Sequence, residues 1–144
     1  MWVEMRTALT GSVVCGTWQL VLTAPASRTV LVVEDDRDVR EAMVHLLETE
    51  GYAAVSAVDG VDALTQLDGG IEPSVILLDL MMPRMDGWEF LERQRNRGAS
   101  TPVIIVSAYG SRDHTKGPDV IASMQKPVDI DALLSVVARV CARE

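Results

Sequence analysis

The chain has 144 residues, the size of one domain, with 48% hydrophobic and 24% charged residues and a formal net charge of -8. Glu4 and Arg6 cancel, so the acidic excess lies in residues 28–144, and an acidic domain without a basic stripe is a poor nucleic-acid binder. No uninterrupted apolar run reaches the ~18 residues of a membrane-spanning helix, and Cys15 and Cys141, which lack metal-type spacing, read as reduced thiols of a cytoplasmic protein.

Residues 1–27 stand outside the pattern that follows. An apolar, β-branched run around Val13 to Leu22 precedes Ala24-Pro25-Ala26, which resembles a signal cleavage site. Against a secretory signal, Glu4 offsets Arg6, and Thr17, Trp18 and Gln19 interrupt the apolar centre. The segment is expected to be a flexible extension, a short extra strand, or translation from an upstream start. The domain proper is expected at 28–144.

From Thr29 the pattern is regular. Val30 to Val33 is a continuous apolar strand that runs into Glu34-Asp35-Asp36. Arg37 to Glu50 carries a one-sided stripe of Val39, Ala42, Met43, Leu46 and Leu47, with Asp36 as N-cap and Gly51 as stop. Ala53 to Ala57 is a strand. Asp59-Gly60 opens a short helix through Leu67, ended by Gly69-Gly70. Val75 to Leu78 is a buried strand ending at Asp79, because Pro83 cannot join a ladder and Asp86-Gly87 signals a turn. A helix from about Trp88 to Arg97, a strand over Pro102 to Ser107, and a polar stretch from Tyr109 to Pro118 follow. A last strand lies within Val120 to Gln125, before Lys126-Pro127. Asp129 caps a final helix with a stripe of Ile130, Leu133, Leu134, Val137 and Val140.

Alternating strands and helices specify an α/β fold: a doubly wound parallel sheet of five strands with five helices on its two faces. In such a sheet the C-terminal strand ends share one edge, where ligands bind. Glu34, Asp35, Asp79, Ser107 and Lys126 all fall there. Crowded carboxylates repel: at ~6 Å and an effective dielectric of ~20, each pair costs about 3 kcal/mol. Oxygen-only ligands in an open site point to Mg2+ as the relieving cation. Mg2+ suits phosphoryl chemistry, and a carboxylate can be the nucleophile that forms an aspartyl phosphate. Lys126 supplies a point charge for a phosphate oxygen and Ser107 a hydroxyl donor. Singly, Asp35 and Asp36 would read as helix caps, Ser107 as a strand end and Lys126 as a solvated charge. His45 reads as surface or semi-buried structure and not as a phosphorylated histidine, Asp86 as a turn residue, and His114 carries no assignment.

Four motifs together resemble a response-regulator receiver domain of two-component signalling: Val-Val-Glu34-Asp35-Asp36, Leu-Leu-Asp79-Leu-Met-Met-Pro83-Arg-Met-Asp86-Gly87, Ile-Val-Ser107-Ala and Lys126-Pro127. Asp79 follows Asp35 by 44 positions, a separation typical of that family. The resemblance implies a flavodoxin-like sheet of order 2-1-3-4-5. It implies Asp79 as phosphoacceptor from a sensor histidine kinase or phosphotransfer protein, in a phosphorelay that reaches an unknown downstream protein. It implies Asp35 as direct Mg2+ ligand, Glu34 acting through metal-bound water, and Met81 offering its backbone carbonyl. Ser107 would be the switch hydroxyl and Lys126 the phosphate-binding lysine, with a cis bond before Pro127. Such a domain catalyses only its own phosphorylation and dephosphorylation, without nucleic-acid or membrane contact. Met81 and Tyr109, two positions after the phosphoacceptor and the switch hydroxyl, are expected to shield the phosphoryl group.

The sequence also departs from the family. Ser107 and Lys126 are 19 positions apart, a few fewer than the family pattern, and Gly110, Gly117 and Pro118 fall between them. The fourth of the five helices is therefore expected to be short or irregular. Ser123 stands where many receivers carry a switch Tyr or Phe. A haloacid-dehalogenase-like phosphatase using Asp79 as nucleophile would want an acid where Met81 stands. A flavodoxin-like cofactor binder would want a Ser/Thr/Gly-rich loop where Glu34-Asp35-Asp36 repels phosphate. No DNA-binding output domain is expected in this chain, which reads equally as a stand-alone regulator or a fragment of a hybrid kinase.

Overall fold

Strands and helices alternate as β1 Thr29–Val33, α1 Arg37–Thr49, β2 Ala53–Ala57, α2 Gly60–Asp68, β3 Val75–Leu78, α3 Gly87–Asn96, β4 Val103–Ser107, β5 Val120–Gln125 and α4 Ile130–Ala142. The structure is a computed structural model that describes residues 28–108, 117 and 119–142. The strands form one parallel sheet in the order β2-β1-β3-β4-β5, the flavodoxin-like arrangement expected. Four helices lie among the described residues. The expected short fourth of five would fall in the stretch from Tyr109 to Pro118, outside them apart from residue 117, and residues 1–27 lie outside them as well.

Period-two alternation divides the core between the two faces of the sheet. Leu31 and Val33 of β1 and Ile76 and Leu78 of β3 point to the side of Ala63 on α2 and Phe90 and Leu91 on α3. Val30, Val32, Val75 and Leu77 point to the other side, where Met43 and Leu47 of α1 meet Leu133, Val137, Val140 and Cys141 of α4. The three central strands are therefore covered on both faces, which explains their unbroken apolar runs. Each fully buried Leu or Phe among them contributes about 1.5–3 kcal/mol relative to exposure.

An aspartate opens each of the four helices. Asp36, Asp59, Asp86 and Asp129 accept from the backbone N–H of Val39 at 3.0 Å, Asp62 at 2.8 Å, Glu89 at 2.9 Å and Ala132 at 3.1 Å. Such caps are worth about 1 kcal/mol each. Asp86 is thus the N-cap of α3 and not only a turn residue. Two apolar stripes are narrower than their sequence pattern: Ala42 is exposed on α1 and Ile130 on α4, while Cys141 joins the core. Between β4 and β5 the register shifts after Val103, skipping Ile121, which is left exposed.

Candidate functional site

Parallel order sends every strand's C-terminal end to one edge, and four of those ends deliver chemistry. Sheet-like hydrogen bonds continue one residue past the strands. The Glu34 N–H donates to the Ala57 carbonyl at 3.1 Å, Asp79 to Val33 at 3.0 Å, and Lys126 to Ser107 at 2.8 Å. Glu34, Asp79 and Lys126 are therefore held by the ladder itself, although they follow the strands in sequence. Gly87 closes the loop after Asp79. Its N–H donates to the Leu80 carbonyl at 2.9 Å, and a Cβ there would lie 2.7 Å from Leu80 Cα and 2.8 Å from the Asp79 carbonyl oxygen. Only glycine permits that approach.

One carboxylate oxygen each from Glu34, Asp35 and Asp79 lies within 4.8 Å of the others. Glu34 and Asp79 are buried, and Asp35 is exposed. Lys126 Nζ donates to Glu34 Oε2 at 2.5 Å and stands 3.7 Å from Asp79 Oδ2. The Asp36 N–H donates to Glu34 Oε1 at 3.1 Å, and the Met81 N–H to Asp79 Oδ1 at 3.2 Å. Burial pushes the Glu34 carboxyl from its ordinary 4.5 up to about 7, outweighing the hydrogen bonds from Lys126 and Asp36, and the charge of Asp79 adds to the rise. Burial would pull the Lys126 ammonium down. Its bond to Glu34 and the charges of Glu34, Asp79 and Asp35 outweigh that, so it titrates above its usual range.

Within this pocket one ammonium faces three carboxylates, two of them buried, and every donor of the acidic group is an oxygen. That inventory fits a hard divalent cation with an open coordination sphere, and Mg2+ in particular. The structure brings together Glu34, Asp35, Asp79 and Lys126 as expected. Ser107 is fully buried at the same edge, tied to Lys126 through its carbonyl. Met81 meets Asp79 through its N–H, and the residue is 45% exposed. The Lys126–Pro127 bond is cis. Tyr109 and His114 lie outside the described residues, and His45 is exposed on α1. Ser123 is half-buried on β5.

Two contributors escaped the sequence reading. Arg40 Nη1 donates to the carbonyls of Glu34 at 2.9 Å and Asp35 at 3.3 Å, steadying the acidic loop from α1. Its place in the first turn after the acidic cluster was a usable signal. Arg84 Nε donates to buried Asp59 Oδ2 at 2.6 Å, across 25 positions that no local pattern connects.

The family model described as response regulator receiver domain matches residues 30–138. The Regulator of RpoS of Escherichia coli (strain K12) is 43% identical over 81 residues, which is 56% of this chain and 24% of that protein. Response regulator MprA of Mycobacterium sp. (strain KMS) is 38% identical over 109 residues, 74% of this chain and 47% of that protein. The chain thus spans about half or less of these curated relatives. Among solved structures, the receiver domain of Francisella response regulator 1452 superposes with a TM-score of 0.74 at 32% identity, covering 81% of this chain and 98% of that one. Chemotaxis protein CheY4 of Vibrio cholerae gives 0.73 at 29%, covering 80% and 99%. TrrA of Thermotoga maritima, solved in complex with Mg2+-BeF, gives 0.71 at 26%, covering 78% and 98%.

Proposed function

The chain belongs to the response-regulator receiver domain family, and from that premise we propose that it takes a phosphoryl group onto Asp79, with Mg2+ held by Glu34, Asp35, Asp79 and the Met81 backbone carbonyl. The observation that carries this reading is the gathering of three carboxylate oxygens within 4.8 Å beside Lys126. The Mg2+-BeF complex of Thermotoga maritima TrrA supports the choice of ion. Bound in this pocket, Mg2+ supplies positive charge to the phosphoryl oxygens during transfer.

The chain's own residues do the rest. An Asp79 carboxylate oxygen attacks phosphorus on a phosphohistidine of a sensor kinase or phosphotransfer protein. The P–N bond breaks, its electron pair stays with the imidazole, and an acyl phosphate remains on Asp79. Lys126, already 3.7 Å from Asp79 Oδ2, donates a charge-assisted hydrogen bond to a phosphoryl oxygen. Ser107 donates its hydroxyl to another. The signal then leaves through contacts with a downstream protein, in the cytoplasm, from a domain spanning residues 28–144 with 1–27 as an extension. A dehalogenase-like phosphatase has less support, since Met81 stands where its second acid belongs.

Incubation with acetyl phosphate and Mg2+, followed by intact-mass measurement, tests the proposal. One phosphoryl adduct is expected on the wild type and none on Asp79→Ala. An adduct that survives in Asp79→Ala, or none on either, overturns it.

A further inference from the structure

The loop between β3 and α3 carries Met81, and one of its residues sits in an unfavourable conformation. Arg84 has φ of 66°, making it the one non-glycine residue in the left-handed region among those described. An arginine has no intrinsic preference for that region. A tight turn puts it there, the Met85 N–H donating to the Pro83 carbonyl at 2.6 Å around Arg84, and Asp59 braces that turn: Arg84 Nε and Nη2 both reach Asp59 Oδ2, at 2.6 and 2.5 Å. The Asp59 side chain is 3% exposed, and its other oxygen caps α2 through the Asp62 N–H. The next residue, Met85, lays its side chain over Gly60, the first residue of α2. Two consecutive loop residues are therefore fastened to the same helix N-terminus, one by charge and one by packing.

We propose that Arg84 is a positioning residue: its ion pair with Asp59 holds the β3–α3 loop so that Met81 faces the acidic pocket. This role rests on the functional reading above. A loop tied at Gly87 to Leu80 and at Arg84 to Asp59 leaves little freedom to the residues between. The Met81 N–H already spends its hydrogen bond on Asp79, which fixes the peptide next to the phosphoacceptor. Local backbone strain held by a buried partner is the pattern expected of a preorganised site.

Three variants of the whole chain test this. Asp59→Asn keeps a capping oxygen for α2 but turns an amide nitrogen toward Arg84, without altering the loop's own sequence. Arg84→Gly removes the tie and adopts φ of 66° freely. Arg84→Lys retains the charge. In EDTA, amide hydrogen exchange over residues 80–86 should quicken in Asp59→Asn. By calorimetry, Mg2+ should bind about tenfold more weakly to Asp59→Asn and Arg84→Gly, the lower range for outer-shell partners of a metal site, and Arg84→Lys should stay close to wild type. Arg84→Gly should melt lower than wild type in EDTA, because buried Asp59 Oδ2 loses its partner, and its Mg2+ affinity measured well below that melting temperature should still fall. Wild-type loop exchange and affinity in Asp59→Asn and Arg84→Gly, while the wild type binds Mg2+, would overturn the positioning role alone. Affinity that falls only in step with melting temperature would make Arg84 a simple stabiliser and overturn it too. If the wild type binds no Mg2+, the functional reading fails and takes this role with it.

Discussion

Glu34 gives the residue scale its clearest consequence. Its carboxyl titrates near 7 in the fold against an ordinary 4.5, so between those values the folded state keeps a proton that the unfolded chain has released. Metal-free stability should therefore be greatest below about pH 4.5 as far as this group is concerned, fall as pH rises toward 7, and level off above, by about 3 kcal/mol at most. Denaturation midpoints in EDTA between about pH 5 and 8 measure this, and Glu34→Gln should flatten the fall. A midpoint that rises over that window in the wild type alone would contradict the burial argument. Asp35 makes a second case. Mg2+ at a hundredfold excess over its dissociation constant should stabilise the wild type by about 2.7 kcal/mol. Asp35→Asn should lose that gain and be slightly more stable than wild type in EDTA, because a repulsion disappears. The effect should be small, since Asp35 is exposed and its charge is screened. Met81→Asn should shorten the life of the acyl phosphate, followed as adduct decay after the donor is removed. Unchanged decay would mean that this exposed side chain does not screen it.

At the scale of elements, the β3–α3 loop depends on the missing Cβ of Gly87. Gly87→Ala places a methyl 2.7 Å from Leu80 Cα and should cost about 1–3 kcal/mol, seen as a lower denaturation midpoint, together with weaker Mg2+ binding. Loss of stability without loss of Mg2+ affinity would separate this loop from the pocket. Among the described residues, the five strands and four helices were legible in the sequence, with ends displaced by a residue or two. The central strands announce themselves as continuous apolar runs because both faces are covered, and aspartates mark the helix starts because they accept the first free N–H groups. Glu34, Asp35, Asp79 and Lys126 could be placed together because parallel topology alone sends strand ends to one edge. What stayed hidden needs tertiary contact: the Arg84–Asp59 pair, the exposure of Ile130 and Ala42, and the shift that skips Ile121. A helical stripe states which residues can face a sheet but not how far the sheet extends beneath them.

For the molecule as a whole, the question is how a phosphoryl group would be felt elsewhere. Many receivers are expected to carry an aromatic ring where Ser123 stands half-buried on β5, and a hydroxymethyl exchanges far less buried area than a ring. A partner senses only differential contact. Beryllofluoride with Mg2+ should therefore change amide NMR signals mainly at the strand ends around Ser107, Ala108 and Lys126, with no large monomer-to-dimer shift on sedimentation. A strong dimer through Asp119 to Met124 and α4 would contradict this. The bond between Lys126 and Glu34 also has a meaning in time. It joins residues 92 positions apart, the first strand's end to the last's. During synthesis, a chain emerging from the ribosome can display Asp79 and both of its acidic neighbours well before the lysine arrives. Competence to accept phosphate should then appear late and abruptly, when β5 docks against β4, which would make labelling by acetyl phosphate a clock for the completion of folding.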